Sequence, residues 1–157
     1  MPDNKYTIYL CGNISNDPET YMWRTKVKNL LGTIGKFNII DPCDNTFNQR
    51  LLKKYKEEGN SEEFIKDAIK ISQGILLPKD YNLVIQSDII LANLAIITLD
   101  KLLVGSLFEL AWAWQFGKLV IGVTGENYYC KHPFVVTTVS AWADSVEDAC
   151  SLILEFF

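Results

Sequence analysis

One carboxylate stands in an otherwise apolar run. In VGSLFELAWAWQFG, Glu109 is surrounded by Leu107, Phe108, Leu110, Ala111, Trp112 and Trp114, so a helix built from this segment has almost no polar face. A glutamate there either lies on the one exposed strip of its helix or is held in an apolar pocket. In a pocket, desolvation raises its pKa or demands a partner. Glu109 follows about one turn after the helix opening at Gly105, near the positive end of the helix dipole. A second candidate is the loop CGNIS, where Gly12 lets a backbone amide approach a ligand closely, or serves as an ordinary turn residue. The chain contains neither GxGxxG nor GxxxxGK[ST], so it has no dinucleotide fingerprint and no P-loop. His132 is the only histidine, and Cys11, Cys43, Cys130 and Cys150 are scattered singly, which offers no metal set. No metal and no cofactor are expected.

These residues must be positioned by alternating strands and helices. Tyr6 to Cys11 reads as a strand ending in Gly12. Asp17-Pro18 supplies a helix start, with Met22, Trp23, Val27, Leu30 and Leu31 at helical spacing and an end near Gly35. Phe37 to Ile40 is a second strand closed by Asp41-Pro42. From 44 to 74 the chain turns polar and mixed in charge, and reads as a helical insertion that covers a site. Beyond it the pattern predicts a helical turn or two from Tyr81 to Ser87 and a strand from Asp88 to Leu94. A helix from Gly105 to Phe116 capped by Gly117 follows, then strands at Leu119 to Val123 and around Val139 to Trp142. Asp144 and Glu147 form a capping-box-like start to a terminal helix. Continuous apolar strands such as DIILANL indicate a parallel sheet covered on both faces. The fold class is a three-layer, doubly wound α/β domain of about five strands in flavodoxin-like 2-1-3-4-5 order, with residues 1–157 as one domain. In that order ligands bind outside the carboxyl ends of the first and third strands, which points to CGNIS and to the segment from Asn93 through Asp100 to Glu109.

The composition restricts the partners. Fifteen Lys plus Arg against 19 Asp plus Glu leave no positive field for a nucleic acid polymer. No apolar run approaches the roughly 20 residues that span a bilayer, and the polar amino terminus lacks a signal peptide pattern. A cytoplasmic location without membrane attachment is the expectation, with the cysteines as reduced packing residues.

The chain resembles the nucleoside 2-deoxyribosyltransferase family, including its relatives that hydrolyse nucleoside monophosphates. The resemblance covers most of the chain outside 44–74. It is carried by IYLCGNIS, DYNLVIQSDIILANL, VGSLFELAWAWQFGKLVIGV and the acid-capped closing helix. The third piece is the most specific: a small-residue pair, two residues, Glu, and then an apolar helix ending in GK is how the family presents its nucleophile. The resemblance implies that Glu109 is that nucleophile, forming a covalent glycosyl intermediate, and that Asp80 hydrogen-bonds the leaving base and exchanges its proton. Asp88 reads as structural. Tyr9, Gly12 and Asn13 fall at the family's active-site aromatic and glycine loop, and Asn93, Gly105 and Ser106 join them as substrate-binding candidates.

Where the family commonly places an Asp or Ser against the 5′ end of the sugar, six residues before the nucleophile, this chain has Leu103. Asp100, Ser106 and Asn93 are the polar residues that could replace that contact. Arg24 and Lys79 are either phosphate contacts or solvated charges, and His132 either reaches a neighbouring subunit or caps a loop. The implied activity is cleavage of the N-glycosidic bond of a (deoxy)nucleoside, with transfer of the 2-deoxyribosyl group to another nucleobase. Hydrolysis of a nucleoside monophosphate or an NAD-like dinucleotide is the alternative, and a non-catalytic nucleotide sensor a further one. The implied partners are a nucleoside or nucleotide, a free nucleobase and further copies of the chain in a homo-oligomer.

Overall fold

The computed structural model describes residues 5–15, 18–50, 53, 62, 66, 69–70, 72–97 and 102–157. Strand β1 (Tyr6–Gly12) leads to helix α1 (Glu19–Leu31) and strand β2 (Phe37–Ile40). A π-helical turn (Ser72–Leu76) runs into α2 (Leu77–Gln86), followed by β3 (Ile89–Asn93), α3 (Val104–Gln115) and β4 (Leu119–Val123). A short 3₁₀ turn, α4 (Pro133–Thr138), β5 (Ala141–Ala143) and α5 (Val146–Phe156) complete the order. The five strands are parallel and lie in the order β2-β1-β3-β4-β5. The flavodoxin-like α/β class and strand order read from the sequence are those observed.

Both faces of the sheet are covered, which is why its strands are continuously apolar. Side chains alternate along β1: Ile8 and Leu10 join Trp23, Val27 and Leu31 of α1 and Ile153 of α5 in one core. Tyr9 and Cys11 join Val84 of α2, Leu110 and Ala113 of α3 and Val135 of α4 in the other. This alternation decides which β1 residues can meet Glu109. Among the described residues no helix is long and apolar enough to cross a membrane.

Several boundaries differ from the sequence expectation for identifiable reasons. Helix α2 begins at Leu77 rather than near Tyr81, because Pro78 sits in its first turn, where a missing N–H costs nothing. Asp80, just before the expected helix start, therefore lies in its first turn. Helix α1 stops at Leu31 rather than near Gly35. The terminal helix is capped by Ser145, whose extended backbone lets Oγ accept from the Asp148 amide at 3.0 Å, one residue later than the Asp144 and Glu147 pairing. Helix α4 was not anticipated: its β-branched residues are weak helix formers, and Pro133 sets its start. Gly117 does end α3, with φ of 61°. Its N–H bonds Trp114 and that of Lys118 bonds Ala113, satisfying the terminal carbonyls. The proposed helix start at Asp17, Asp100, and most of the 51–71 part of the insertion lie outside the described residues.

Candidate active site

Tyr9 and Glu109 are 100 positions apart in sequence and meet on the α3 side of the sheet. Inward alternation on β1 turns the Tyr9 ring toward α3, and its hydroxyl donates to Glu109 Oε1 at 2.6 Å in a buried contact. Glu109 is only 8% exposed. Of the two placements open to it from the sequence, the apolar pocket is the observed one. Burial pushes its carboxyl from an ordinary 4.5 up to about 7. The Tyr9 hydroxyl, the Cys11 thiol and the Arg24 guanidinium oppose the rise, and the Asp80 charge adds to it. Burial first, and then the Glu109 charge, hold the Tyr9 phenol far above its usual range, so Tyr9 is a permanent donor.

Asp80 reaches the same field from the first turn of α2. Its side chain is 26% exposed and pairs with Lys79 at 3.4 Å. Partial burial raises its pKa, and Lys79 opposes the rise. Two carboxyls from different helices thus come into the same field, one sealed and one partly open to solvent, and the Asp80 charge adds to the rise at Glu109.

The first loop and the end of β3 form the floor. Gly12 pairs in register with Asn93, the last residue of β3. A Cβ on Gly12 would come 2.9 Å from Trp23 Cζ2 and 3.2 Å from the Asn93 carbonyl, so tight packing of α1 on the sheet already requires a glycine. Asn13 and Asn93 are both buried. The Asn93 side chain accepts from the Ala95 amide at 3.2 Å, shaping the turn after β3. Ser106 is buried one turn before Glu109, whereas Gly105 is exposed in the first turn of α3.

Other residues have local partners. Asp88 Oδ2 accepts the Thr7 amide at 2.8 Å, in keeping with a structural part. Leu103 is buried in the core that contains Val135, and its amide donates to the Tyr129 hydroxyl at 3.2 Å. His132 sits edge-on between Tyr128 and Phe134. These aromatics border an apolar cavity of about 310 Å³ between α3 and α4, whose lining includes neither Glu109 nor Asp80.

Two contributors escaped the sequence reading. Cys11 is buried as a packing cysteine would be, yet its thiol donates to the Ser106 carbonyl at 3.8 Å and bears on Glu109. Its position two residues after Tyr9, on the same strand face, was the available signal. Arg24, read as a phosphate contact or a solvated charge, is neither: it is 1% exposed and engaged within the protein. Among the described residues no group of three or more His, Cys, Asp or Glu is arranged to hold a metal ion.

No family model matches the chain, and no curated protein does. Solved structures do. A 2-deoxyribosyltransferase from the psychrotolerant bacterium Bacillus psychrosaccharolyticus aligns with a TM-score of 0.59 at 18% identity, over 96% of this chain and 91% of that one. The CMP N-glycosidase BcmB of Clostridium botulinum aligns with a TM-score of 0.51 at 12% identity, over 96% of this chain and 99% of that one. Nearly the whole chain, and not just its sheet, therefore shares its fold with a 2-deoxyribosyltransferase and a CMP N-glycosidase.

Proposed function

We propose that this chain is an enzyme that cleaves the N-glycosidic bond of a nucleoside or nucleotide, with Glu109 as nucleophile, and transfers the 2-deoxyribosyl group to a second nucleobase. The observation that carries this reading is the buried Glu109 carboxyl, bonded by Tyr9 at 2.6 Å on the helix that follows β3. It lies where ligands bind in a sheet of this order. The fold shared with two enzymes that act on such bonds supports it.

The chemistry follows from the environment of each group. Departure of the base builds oxocarbenium character at the sugar carbon. A carboxylate that water cannot screen stabilises that charge and then bonds the carbon. Tyr9 fixes the carboxylate through Oε1, and the Cys11 thiol also bears on it. Asp80, partly exposed on the opposing helix, donates a proton to the leaving base and recovers one from the incoming base. Entry of a base completes transfer, and entry of water gives hydrolysis.

The test is a panel of nucleosides and nucleoside monophosphates, each incubated with and without a second free base and resolved by chromatography. Exchange of bases, lost in Glu109→Gln, is the expected result. Free base released at the same rate whether or not an acceptor is present would replace transfer by hydrolysis. A Glu109→Gln variant that still turns over would overturn the assignment of the nucleophile.

A further inference from the structure

Among the described residues the largest fully buried side chain is that of Arg24, on the opposite face of the sheet from Glu109. Its Nη2 donates to the Gly12 carbonyl at 3.1 Å, and its Nη1 to the carbonyls of Asn13 at 3.3 Å and Thr20 at 2.6 Å. Its Nε approaches Asp41 Oδ1 to 3.2 Å without hydrogen-bond alignment, so that contact is ionic. Lys28 Nζ holds the other Asp41 oxygen at 2.7 Å. One guanidinium thus ties together the end of β1, the first turn of α1 and the residue that follows β2.

We infer that Arg24, anchored by Asp41, is a positioning residue for Glu109: it fixes the peptide planes that end β1, so that Tyr9 and Cys11 hold the carboxylate in place. This inference rests on the reading of Glu109 as nucleophile. A trans peptide is planar, so fixing the Gly12 and Asn13 carbonyls sets the direction of the two successive planes that follow Gly12, one residue beyond Cys11. Only a planar, multi-donor group can hold three carbonyls and an acid at once, and a lysine ammonium cannot match that fork. Arg24 and Lys28 share the buried carboxylate of Asp41, and the exposed Asp44 also lies 3.5 Å from Lys28. The Arg24 charge favours the ionised form of Glu109. Among the described residues the charged and titratable groups that act on Glu109 or feel its charge are Tyr9 and Cys11 from β1, Asp80 from α2, Cys43 after β2 and, from the other side of the sheet, Arg24 of α1.

A buried arginine that only supports the fold is the competing explanation, and a paired removal separates the two. Arg24→Met leaves Asp41 buried without its main partner and should lose stability. Arg24→Met/Asp41→Leu removes both charges, a change that commonly restores stability. The double variant, still without donors for the three carbonyls, is expected to regain only part of the stability lost in Arg24→Met, yet to show kcat reduced by about 10-fold or more with KM little changed. Its Glu109 carboxyl, followed by ¹³C NMR and assigned by its absence in Glu109→Gln, should titrate higher than in wild type. Arg24→Lys should fold, keep the Glu109 titration closer to wild type and recover only part of kcat.

A double variant with wild-type kcat and an unmoved Glu109 titration would overturn the inference. So would failure of all three variants to fold, because Arg24 would then be a determinant of folding. The titration does not depend on turnover: if Glu109→Gln retains activity, the nucleophile reading fails on its own while the effect of Arg24 on Glu109 is still measured.

Discussion

Replacing Glu109 by glutamine is expected to make the folded chain more stable at neutral and higher pH while removing its proposed chemistry. Burial carries the Glu109 carboxyl from its ordinary 4.5 to about 7, so between those values the folded chain holds a proton that the unfolded chain has released. The protein then loses stability as pH rises through this window, and the full loss persists above it. A rise of that size is worth roughly 3 kcal/mol at about 1.36 kcal/mol per unit. Glutamine carries no charge to desolvate, and its carbonyl oxygen can still accept from the Tyr9 hydroxyl, so the variant escapes most of the loss. For a domain of this length the difference corresponds to about 6–12 °C in Tm. Melts of both proteins across the acid-to-alkaline range give the assay. Their difference should be small near the unperturbed carboxyl value, grow up to about pH 7 and then level off. A difference that does not change with pH would refute the picture of a sealed, proton-holding nucleophile.

The same pair of carboxyls gives opposite pH profiles for two kinds of substrate. A nucleoside whose base departs unaided needs only ionised Glu109, so its kcat/KM should rise to a plateau above about pH 7; a natural nucleoside also needs Asp80 protonated, so its kcat/KM should fall on the alkaline side instead of holding that plateau. Parallel profiles would remove Asp80 as the proton donor. Tyr9→Phe deletes a bond to a charged group worth about 1.5–3 kcal/mol, and should lower kcat by about 10- to 100-fold and move the Glu109 titration further up; an unchanged titration would show that Tyr9 only packs. Leu103→Asp places a charge in the core against Val135 and should cost about 3 kcal/mol or more in urea melts. A stable variant with a changed preference between 5′-hydroxyl and 5′-phosphate substrates would instead put Leu103 against the sugar.

The architecture was readable because its determinants are local. Continuous apolar strands imply a sheet covered on both faces, and each of the five observed strands falls within about two residues of an expected one. The errors cluster where tertiary contacts override local preference. The β-branched helix α4 forms with Val135 inserted into the core, and Ser145 takes the cap because its backbone, rather than that of Asp144, meets the helix.

The site was legible only in part, and the boundary is physical. Glu109 announced itself because a carboxylate in an apolar helix is expensive, and expense is visible in sequence. Arg24 was not visible in this way: an arginine among Thr20, Thr25, Lys26 and Lys28 looks like any solvated helix face. Its burial depends on carbonyls of β1 and on Asp41, groups that approach it only when β2 pairs beside β1. Cys11 was hidden for the complementary reason, since burial is the usual fate of cysteine and says nothing about a carboxylate on the helix packed over its strand. Residues that act by being unusual can thus be found from the sequence, whereas residues that act by holding others in place appear only once the strands are in register.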